Sequence, residues 1–187
     1  MRAEVGELAK LADRALDIEK YVREVKPLVE DVRRSGDRAL ERITREFDGS
    51  EAGKVDVGGL ISDLDEELKK SIEVMFKSVE SFYRRLLPQS MRENYEGVSR
   101  SVTWRPIRKV GIYVPRGYVS TLIMASSPAR VAGAERLVVV TPPFKGGADP
   151  AIAYASSLIG AELYVANGVA GVAAMAFGTG TIPKVDK

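Results

Sequence analysis

Residues 136–141 read Arg-Leu-Val-Val-Val-Thr, which is a continuous apolar run. Such a run is typical of a strand that is buried on both faces of a parallel sheet. Further strands are predicted over residues 109–115 and 162–166, and helices over residues 121–134 and 150–159 separate the three strands. Strands that alternate with helices at this spacing predict βαβ units and a parallel sheet.

Upstream of residue 98 the chain has a different character, because charged residues are frequent and apolar residues recur at helical spacing. A first helix is predicted over residues 5–20. Pro27 suits the first turn of a second helix, since proline is tolerated at that position. A last helix of this region is predicted to begin after Ser62, which would cap it, and to continue as far as Pro88.

A break in the second helical stretch is predicted at Ser35-Gly36-Asp37, where Asp37 is expected to cap the helix that begins at Arg38. Residues 1–97 are therefore predicted to form an N-terminal helical region. Residues 98–187 are predicted to form a second domain, which opens on a strand over residues 98–104. Together these patterns predict the α/β fold class.

Composition excludes several classes of function. The formal net charge is +2 and the charges are interspersed, so we expect neither a nucleic-acid surface nor a membrane surface. No apolar stretch approaches the roughly 18 residues that a membrane helix needs. The N-terminus (Met1-Arg2-Ala3-Glu4-Val5) carries early charge and no apolar core, so we predict no signal peptide and expect a cytoplasmic protein.

Histidine and cysteine are both absent from the sequence. The chain therefore offers no thiol nucleophile, no disulfide, no histidine general base and no zinc site built from these residues. Paired acids such as Asp63 and Asp65, or Glu66 and Glu67, lie in a charged helical stretch. We interpret them as caps and solvated faces rather than as a general acid–base pair.

The first candidate for a binding site is the turn that follows the strand over residues 109–115. Pro115-Arg116-Gly117 leaves that strand and leads into Ser120-Thr121, which is predicted to cap the next helix. Glycine would let backbone amides approach a phosphate, Arg116 would add a cation, and the helix dipole favours negative charge. The alternative is an ordinary strand-to-helix connection, because the pattern is not the glycine fingerprint of dinucleotide-binding folds.

The second candidate is Asn167-Gly168-Val169-Ala170-Gly171, which lies between a strand and a helix predicted over residues 169–177. An anion site is one interpretation, but a tight turn with close helix–sheet packing is favoured. Thr141-Pro142-Pro143 is interpreted as a stiff connection rather than as the wall of a cleft. Gly178-Thr179-Gly180-Thr181 lacks the lysine and the spacing of a P-loop.

A set of motifs, taken in order along the chain, resembles those of histidinol dehydrogenases. The motifs occupy residues 34–40, 47–49, 105–107, 110–115, 120–124, 128–129, 131–133, 141–143, 173–179 and 182–187. Each is weak alone, but together they cover nearly the whole chain and are highly specific. The resemblance implies incomplete Rossmann-like domains, so we expect residues 98–187 to form an incomplete Rossmann-like parallel βαβ domain.

The resemblance also implies a chemistry. The family oxidises L-histidinol to L-histidine in two NAD-dependent hydride transfers, as a homodimer with one zinc ion per site. Tyr113, Pro115 and Gly117 match its NAD-binding side, whereas no residue here matches its zinc ligands or its catalytic Glu-His pair. We therefore expect no bound zinc, no activity of the chain alone, and a partner that is either a further copy or a companion chain supplying the missing half.

Departures from the family pattern predict that NAD binds weakly or not at all. Arg116 stands where the family has glycine, and the loop from Pro115 to Ser120 is shorter. Ala170 replaces a glutamine that contacts NAD in the family. Each lost hydrogen bond weakens binding by about 1 kcal/mol. The alternative function is a non-catalytic remnant that acts as a binding or assembly module.

Overall fold

A computed structural model describes residues 18–62 and 64–187 of the chain. Most of the helix predicted over residues 5–20 lies outside the described residues, as does Asp63. Within the described part of the chain, no helix is both long enough and apolar enough to cross a membrane.

The described elements are mainly helical at first, then form a hairpin, and alternate between strand and helix only from residue 109 onwards. In chain order they are α1 (Ile18–Ser35), α2 (Asp37–Asp48), β1 (Gly53–Lys54), α3 (Val57–Leu60), α4 (Glu66–Leu86), β2 (Met91–Tyr95), β3 (Val98–Val102), β4 (Lys109–Tyr113), α5 (Val119–Ala132), β5 (Arg136–Thr141), α6 (Pro150–Ile159), β6 (Glu162–Val165) and α7 (Gly168–Phe177).

The main sheet has the strand order β1-β6-β5-β4. Strands β4, β5 and β6 are parallel, with Val110 opposite Leu137 and Val139 opposite Leu163, while β1 pairs antiparallel to β6. The apolar run of β5 lies in the middle of this sheet, and its residues from Leu137 to Thr141 are all buried. The predicted α/β class and its parallel βαβ units are confirmed.

Helices cover both faces of the sheet, which explains why β5 is apolar at every position from Leu137 to Val140. Val139 faces one core cluster, in which Leu122 of α5 and Ile152 of α6 are packed with residues of α4. Val138 and Val140 face the other cluster, which α1, α2 and α7 complete. Residues that alternate along a strand point to opposite faces, so a strand covered on both sides has no polar face.

The chain returns to the free edge of β4 after α7. The Lys187 N–H donates to the Lys109 carbonyl at 3.3 Å, and the Gly111 N–H donates to the Lys187 carbonyl at 2.8 Å. These two bonds have the arrangement of a parallel pair. Strand β4 thus has β5 on one side and the segment that ends at Lys187 on the other. The chain reaches β5 through α5 on one face of the sheet, and it reaches Lys187 through α7 on the opposite face. Ligands of open α/β sheets bind beyond the carboxyl ends of the strands at such a point.

The predicted helix starts at Pro27 and after Ser62 are wrong. Pro27 lies inside α1 rather than at the start of a helix. Proline leaves the carbonyl of Arg23 without a helical donor, but the proline is exposed and α1 is held by packing against α7. Asp65 rather than Ser62 caps α4, by accepting from the Leu68 N–H at 2.9 Å. Ser62 instead donates to the Gly59 carbonyl, at the end of the short helix α3, which was not predicted.

Asp37 also differs from its predicted role. It is the first residue of α2, and Gly36 occupies the cap position with a φ of 55°. Within the described residues, no side chain caps this helix. The Asp37 carboxylate instead accepts from the Thr181 N–H, far along the chain. A local pattern predicts a cap because aspartate is common there, but a distant donor competes for the same oxygen.

The strand predicted over residues 98–104 is β3, and it forms a two-stranded antiparallel hairpin with β2. The hairpin turns at Glu96 and Gly97, which have φ values of 47° and 82°. Two consecutive positive φ values suit a tight hairpin turn, but glutamate is an unusual residue for it, so β2 was not predicted. The predicted division at residues 97 and 98 falls in this turn and remains a prediction.

Candidate functional site

Tyr113 ends β4 at the carboxyl edge of the sheet and is about one-third exposed, at 36%. Its ring packs against Gly168, the first residue of α7. The two are so close that a methyl group at position 168 would lie 2.7 Å from the Tyr113 hydroxyl. Burial raises the pKa of Tyr113, the carboxylate of Asp48 adds to the increase, and the cation of Arg116 opposes it. The phenol therefore keeps its proton at neutral pH and can donate a hydrogen bond.

The predicted turn after β4 is present, but its cap is not the predicted one. The Tyr118 N–H donates to the Pro115 carbonyl at 3.3 Å, and Gly117 has a φ of 76°. This φ favours glycine, because L side chains rarely adopt it. Helix α5 begins at Val119, so Ser120 lies inside its first turn rather than at its cap. Among the described residues, no side chain accepts a capping hydrogen bond there.

In the described residues, the N–H groups in the first turn of α5 therefore have no side-chain cap, whereas α6 and α7, which also follow parallel strands, are each capped by a side chain. Asp149 caps α6 and accepts from the Ala151 N–H at 2.8 Å. Asn167 caps α7 in the same way. Amides at a helix N-terminus bind anions when side chains leave them available. Of these three connections, the one after β4 is the best suited to a phosphate.

The second predicted candidate, at residues 167–171, shows the predicted close helix–sheet packing, but Asn167 caps α7 and the other four residues form its first turn. The Asn167 side-chain oxygen accepts from the N–H groups of Val169 and Ala170, at 3.1 and 3.4 Å. These two N–H groups therefore already have a hydrogen-bond acceptor within the chain and are not available to an anion. A methyl group at Gly171 would lie 2.5 Å from a side-chain carbon of Val140, so glycine permits the close approach of α7 to β5.

Asn167 also connects the sheet to α2, which sequence analysis did not predict. Its side-chain N–H donates to Asp48 at 2.8 Å, and its backbone N–H donates to the Thr44 hydroxyl at 3.0 Å. Asparagine directly before a helix is a recognisable cap signal. Its two partners lie more than a hundred positions away, and no local pattern identifies them.

A groove runs along β4 on the side of α7, and we name it the β4 groove. It is lined by Gly111, Tyr113, Val172, Met175, Ala176, Lys184, Val185, Asp186 and Lys187, and its volume is about 560 Å³. A methyl group at Gly111 would lie 2.7 Å from the Met175 sulfur, so glycine keeps this floor close to α7. A volume of this size is within the range of small-molecule sites.

The remaining predicted residues occupy different surroundings. Arg116 is exposed in the turn after β4, and Pro115 and Gly117 flank it on the surface. Ala170 is fully buried in the core between α7 and the sheet, so its side chain presents nothing to solvent. Thr141 and Pro143 are buried at the carboxyl end of β5.

The described residues do not fit a zinc ion. Within that part of the chain, no group of three or more acidic residues converges, and the sequence contains neither histidine nor cysteine. Zinc in proteins is held by nitrogen, sulfur and carboxylate ligands, usually four in number.

Comparison with known proteins identifies the family. The family model described as histidinol dehydrogenase matches residues 11–187. The chain belongs to the histidinol dehydrogenase family. It is 36% identical over 185 residues to a histidinol dehydrogenase of Saccharolobus solfataricus, an alignment that covers 94% of this chain and 46% of that relative. It is 39% identical over 194 residues to the histidinol dehydrogenase of Bacillus anthracis, covering 95% of this chain and 44% of that relative.

A solved structure supports the same assignment. The crystal structure of histidinol dehydrogenase from Elizabethkingia anophelis superimposes with a TM-score of 0.82 at 33% sequence identity. That match covers 92% of this chain and 42% of the other chain. The present chain thus spans slightly less than half the length of the histidinol dehydrogenases that it matches.

Proposed function

We propose that this chain provides the nucleotide-binding side of a histidinol dehydrogenase, and that NAD binds at the turn after β4. The observation that carries the proposal is the convergence of three features at one strand end. Tyr113 is partly exposed there, Gly117 allows the turn, and the first-turn amides of α5 are suited to a phosphate. The neighbours of β4 diverge at this end of the sheet, where ligands of such folds bind.

The residues at this end have distinct proposed roles. Backbone amides of α5 and the side chain of Arg116 would hold the pyrophosphate, because both present positive charge to an anion. The Tyr113 hydroxyl would donate a hydrogen bond, and the apolar wall of the β4 groove would exclude water. When bound, NAD supplies the hydride acceptor for alcohol oxidation.

Calorimetry with NAD tests this site directly. We expect weak binding by the chain, with a Kd about tenfold higher for Tyr113→Ala, since loss of a hydrogen bond and ring packing is worth roughly 1–2 kcal/mol. Tyr95→Ala is the control, because Tyr95 lies on the β2–β3 hairpin, outside the main sheet, and is more exposed (58%) than Tyr113. Equal affinities of wild type and Tyr113→Ala, or no binding at any accessible NAD concentration, would contradict the assignment.

We further propose that the chain does not oxidise histidinol by itself. The sequence has no imidazole or thiolate with which to bind a catalytic metal or accept a proton at neutral pH. Mixing the chain with zinc, NAD and histidinol is expected to yield no NADH, as followed by absorbance. NADH formation by the purified chain alone would refute this. NADH formation only after addition of a companion polypeptide would support a shared active site.

A second candidate function is an assembly module, and the β2–β3 hairpin favours it. Every residue of both strands is exposed. One face carries two apolar pairs across the strands, Met91 with Val102 and Tyr95 with Val98, and the Glu93–Arg100 ion pair lies between them. A two-stranded hairpin is marginally stable alone, and exposed apolar patches mark partner surfaces. The proposed partner is a further copy of the chain or a companion chain.

Light scattering distinguishes the two partners. A dimer of the chain alone that becomes monomeric in Val98→Lys, but not in Ser99→Lys on the polar face, would support self-association through the hairpin. A clean monomer of the wild-type chain would exclude a second copy as the partner.

A further inference from the structure

Asp37, the first residue of α2, holds a turn that lies at the far end of the sequence. Its carboxylate accepts from the Thr181 N–H at 3.0 Å and lies against Gly180 of the same turn. A methyl group at Gly180 would overlap the second carboxylate oxygen. The contact therefore depends on both a carboxylate at position 37 and a glycine at position 180.

The turn that Asp37 holds is itself a compact unit. The Thr179 N–H donates to the Ile182 carbonyl at 2.8 Å, and the Ile182 N–H donates back to the Thr179 hydroxyl at 2.9 Å. The side chain of Ile182 is fully buried. Because the turn is closed by its own bonds, moving one of its residues moves the whole unit.

The residues after this turn build one wall of the β4 groove. The Val185 N–H donates to the Met175 carbonyl at 2.9 Å, and the Asp186 N–H donates to the Lys109 carbonyl at 2.8 Å. The Asp186 carboxylate accepts from the Lys109 N–H at 3.0 Å. The Gly111 N–H donates to the Lys187 carbonyl. Residues 184–187 therefore follow directly on the turn that Asp37 holds, and residues 186 and 187 contact β4 through their own hydrogen bonds.

We propose that Asp37 is a positioning residue for the β4 groove: by holding residues 179–181, it sets the register of residues 184–187 along β4 and so the wall beside Tyr113. The effect on NAD rests on the function proposed above, whereas the effect on the wall does not. Asp37 acts through the segment that it holds and need not touch the ligand.

The chemistry explains why a carboxylate is required. The Thr181 N–H, which bonds to Asp37, can only donate, and a carboxylate offers only acceptors. Partial burial raises the pKa of Asp37, but the hydrogen bonds from Thr179, Thr181 and Gly180 outweigh it, and the net shift is downward. The N-terminus of α2 also favours an anion at this position. An asparagine of the same shape would turn an N–H towards one of these donors.

Hydrogen exchange on the 187-residue chain tests the positioning role. In Asp37→Asn and in Gly180→Ala, we expect the amides of Thr181, Val185 and Gly111 to exchange about tenfold faster. Amides of β5 and α6 should keep their wild-type rates. Asp31→Asn is the matched control, because Asp31 accepts from Ser35 and Arg42 at 2.9 and 2.7 Å on the outer side of α1 and α2.

Two results would overturn the proposal. One is unchanged exchange at Val185 and Gly111 in both variants. The other is a uniform increase that includes β5, because that would show a general loss of stability rather than a displaced segment. The double variant should show no more than the effect of the stronger single change, since both remove the same contact.

Calorimetry separates this proposal from the proposed function. If the wild-type chain binds NAD, we expect Asp37→Asn to raise the Kd about tenfold while Asp31→Asn leaves it unchanged. Faster exchange with an unchanged Kd would overturn the part of the proposal that concerns the cofactor. If the wild-type chain binds no NAD, the proposed function fails, and the exchange rates alone decide whether Asp37 positions the wall.

Discussion

At the scale of the residue, close packing on the sheet depends on Gly171 of α7. A methyl group there would lie 2.5 Å from Cγ1 of Val140, which is fully buried. Alanine favours a helix over glycine by about 1 kcal/mol, but crowding a packed core costs about 1–3 kcal/mol. The neighbour cannot withdraw easily because Val140 lies in the middle strand of the sheet.

We expect Gly171→Ala to lower the free energy of unfolding by about 1–2 kcal/mol, measured by urea titration. Gly59→Ala is the matched control, since a methyl group at Gly59 would meet no atom within 4 Å in the described residues. That change should alter stability by less than about 0.5 kcal/mol. Equal effects of the two substitutions would show that backbone entropy, rather than contact with Val140, governs this position.

The site residues differ in how far sequence could predict them. Tyr113 and Gly117 were predicted at the end of a strand and in a turn, because strand ends and glycines are local signals. The partners of Asp37 and Asn167 were not predicted, since both side chains bond to residues more than a hundred positions away. Aspartate and asparagine are both common helix-cap residues, but of Asp37 and Asn167 only Asn167 caps a helix.

At the scale of the element, a cluster of charges lies at the antiparallel edge of the sheet. Strand β1 has two residues, and Lys54 within it bonds to Glu162 of β6 at 3.1 Å. Glu162 also pairs with Arg136 of β5 and accepts from the Tyr164 hydroxyl at 2.8 Å. The hydrogen bond from Arg136 and those from Lys54 and Tyr164 lower the pKa of Glu162 to about 2, although burial opposes them.

This cluster predicts a dependence of stability on pH. A carboxyl whose pKa is lowered on folding stabilises the fold above its ordinary value of 4.5, and that contribution is lost as pH falls towards about 2. We expect the stability difference between wild type and Glu162→Gln to be largest near neutral pH and to shrink across this interval. Urea titrations at a series of pH values measure it.

Glu51→Gln provides the control for this effect, because Glu51 is exposed and pairs with Arg45 at 3.7 Å. Exposed pairs contribute little to stability, so this variant should follow the wild type at every pH. A constant difference between wild type and Glu162→Gln down to pH 2 would mean that the cluster does not titrate as a stabilising unit.

At the scale of the whole molecule, the N-terminal helices and the sheet share their cores. Leu40 and Ile43 of α2 lie in the same cluster as Val138 and Val140 of β5, and all four are fully buried. Helix α4 likewise contributes Ile72 to the opposite cluster. Elements that share a core are expected to unfold together.

We therefore expect Leu40→Ala to destabilise the sheet as well as α2. Removing a fully buried leucine lowers the free energy of unfolding by about 2–5 kcal/mol. Hydrogen exchange of the slowest amides in β5 should become faster by an amount that corresponds to this full decrease. Leu68→Ala is the control, because Leu68 of α4 is 43% exposed. If β5 amides kept their rates in Leu40→Ala, residues 1–97 would behave as an independent unit.

The sequence by itself determined the α/β class, the order of strands and helices after residue 109, the helical character of the region before it, and the absence of imidazole and thiol groups. These features depend on residue types and on apolar spacing along a single segment. Tertiary structure alone decided that α1 continues through Pro27, that β1 joins the sheet edge, that Asp37 holds residues 179–181, and that Asn167 connects α7 to α2. Each of these depends on contacts between segments distant in sequence, whose energies outweigh local preferences only once the sheet and its covering helices are assembled.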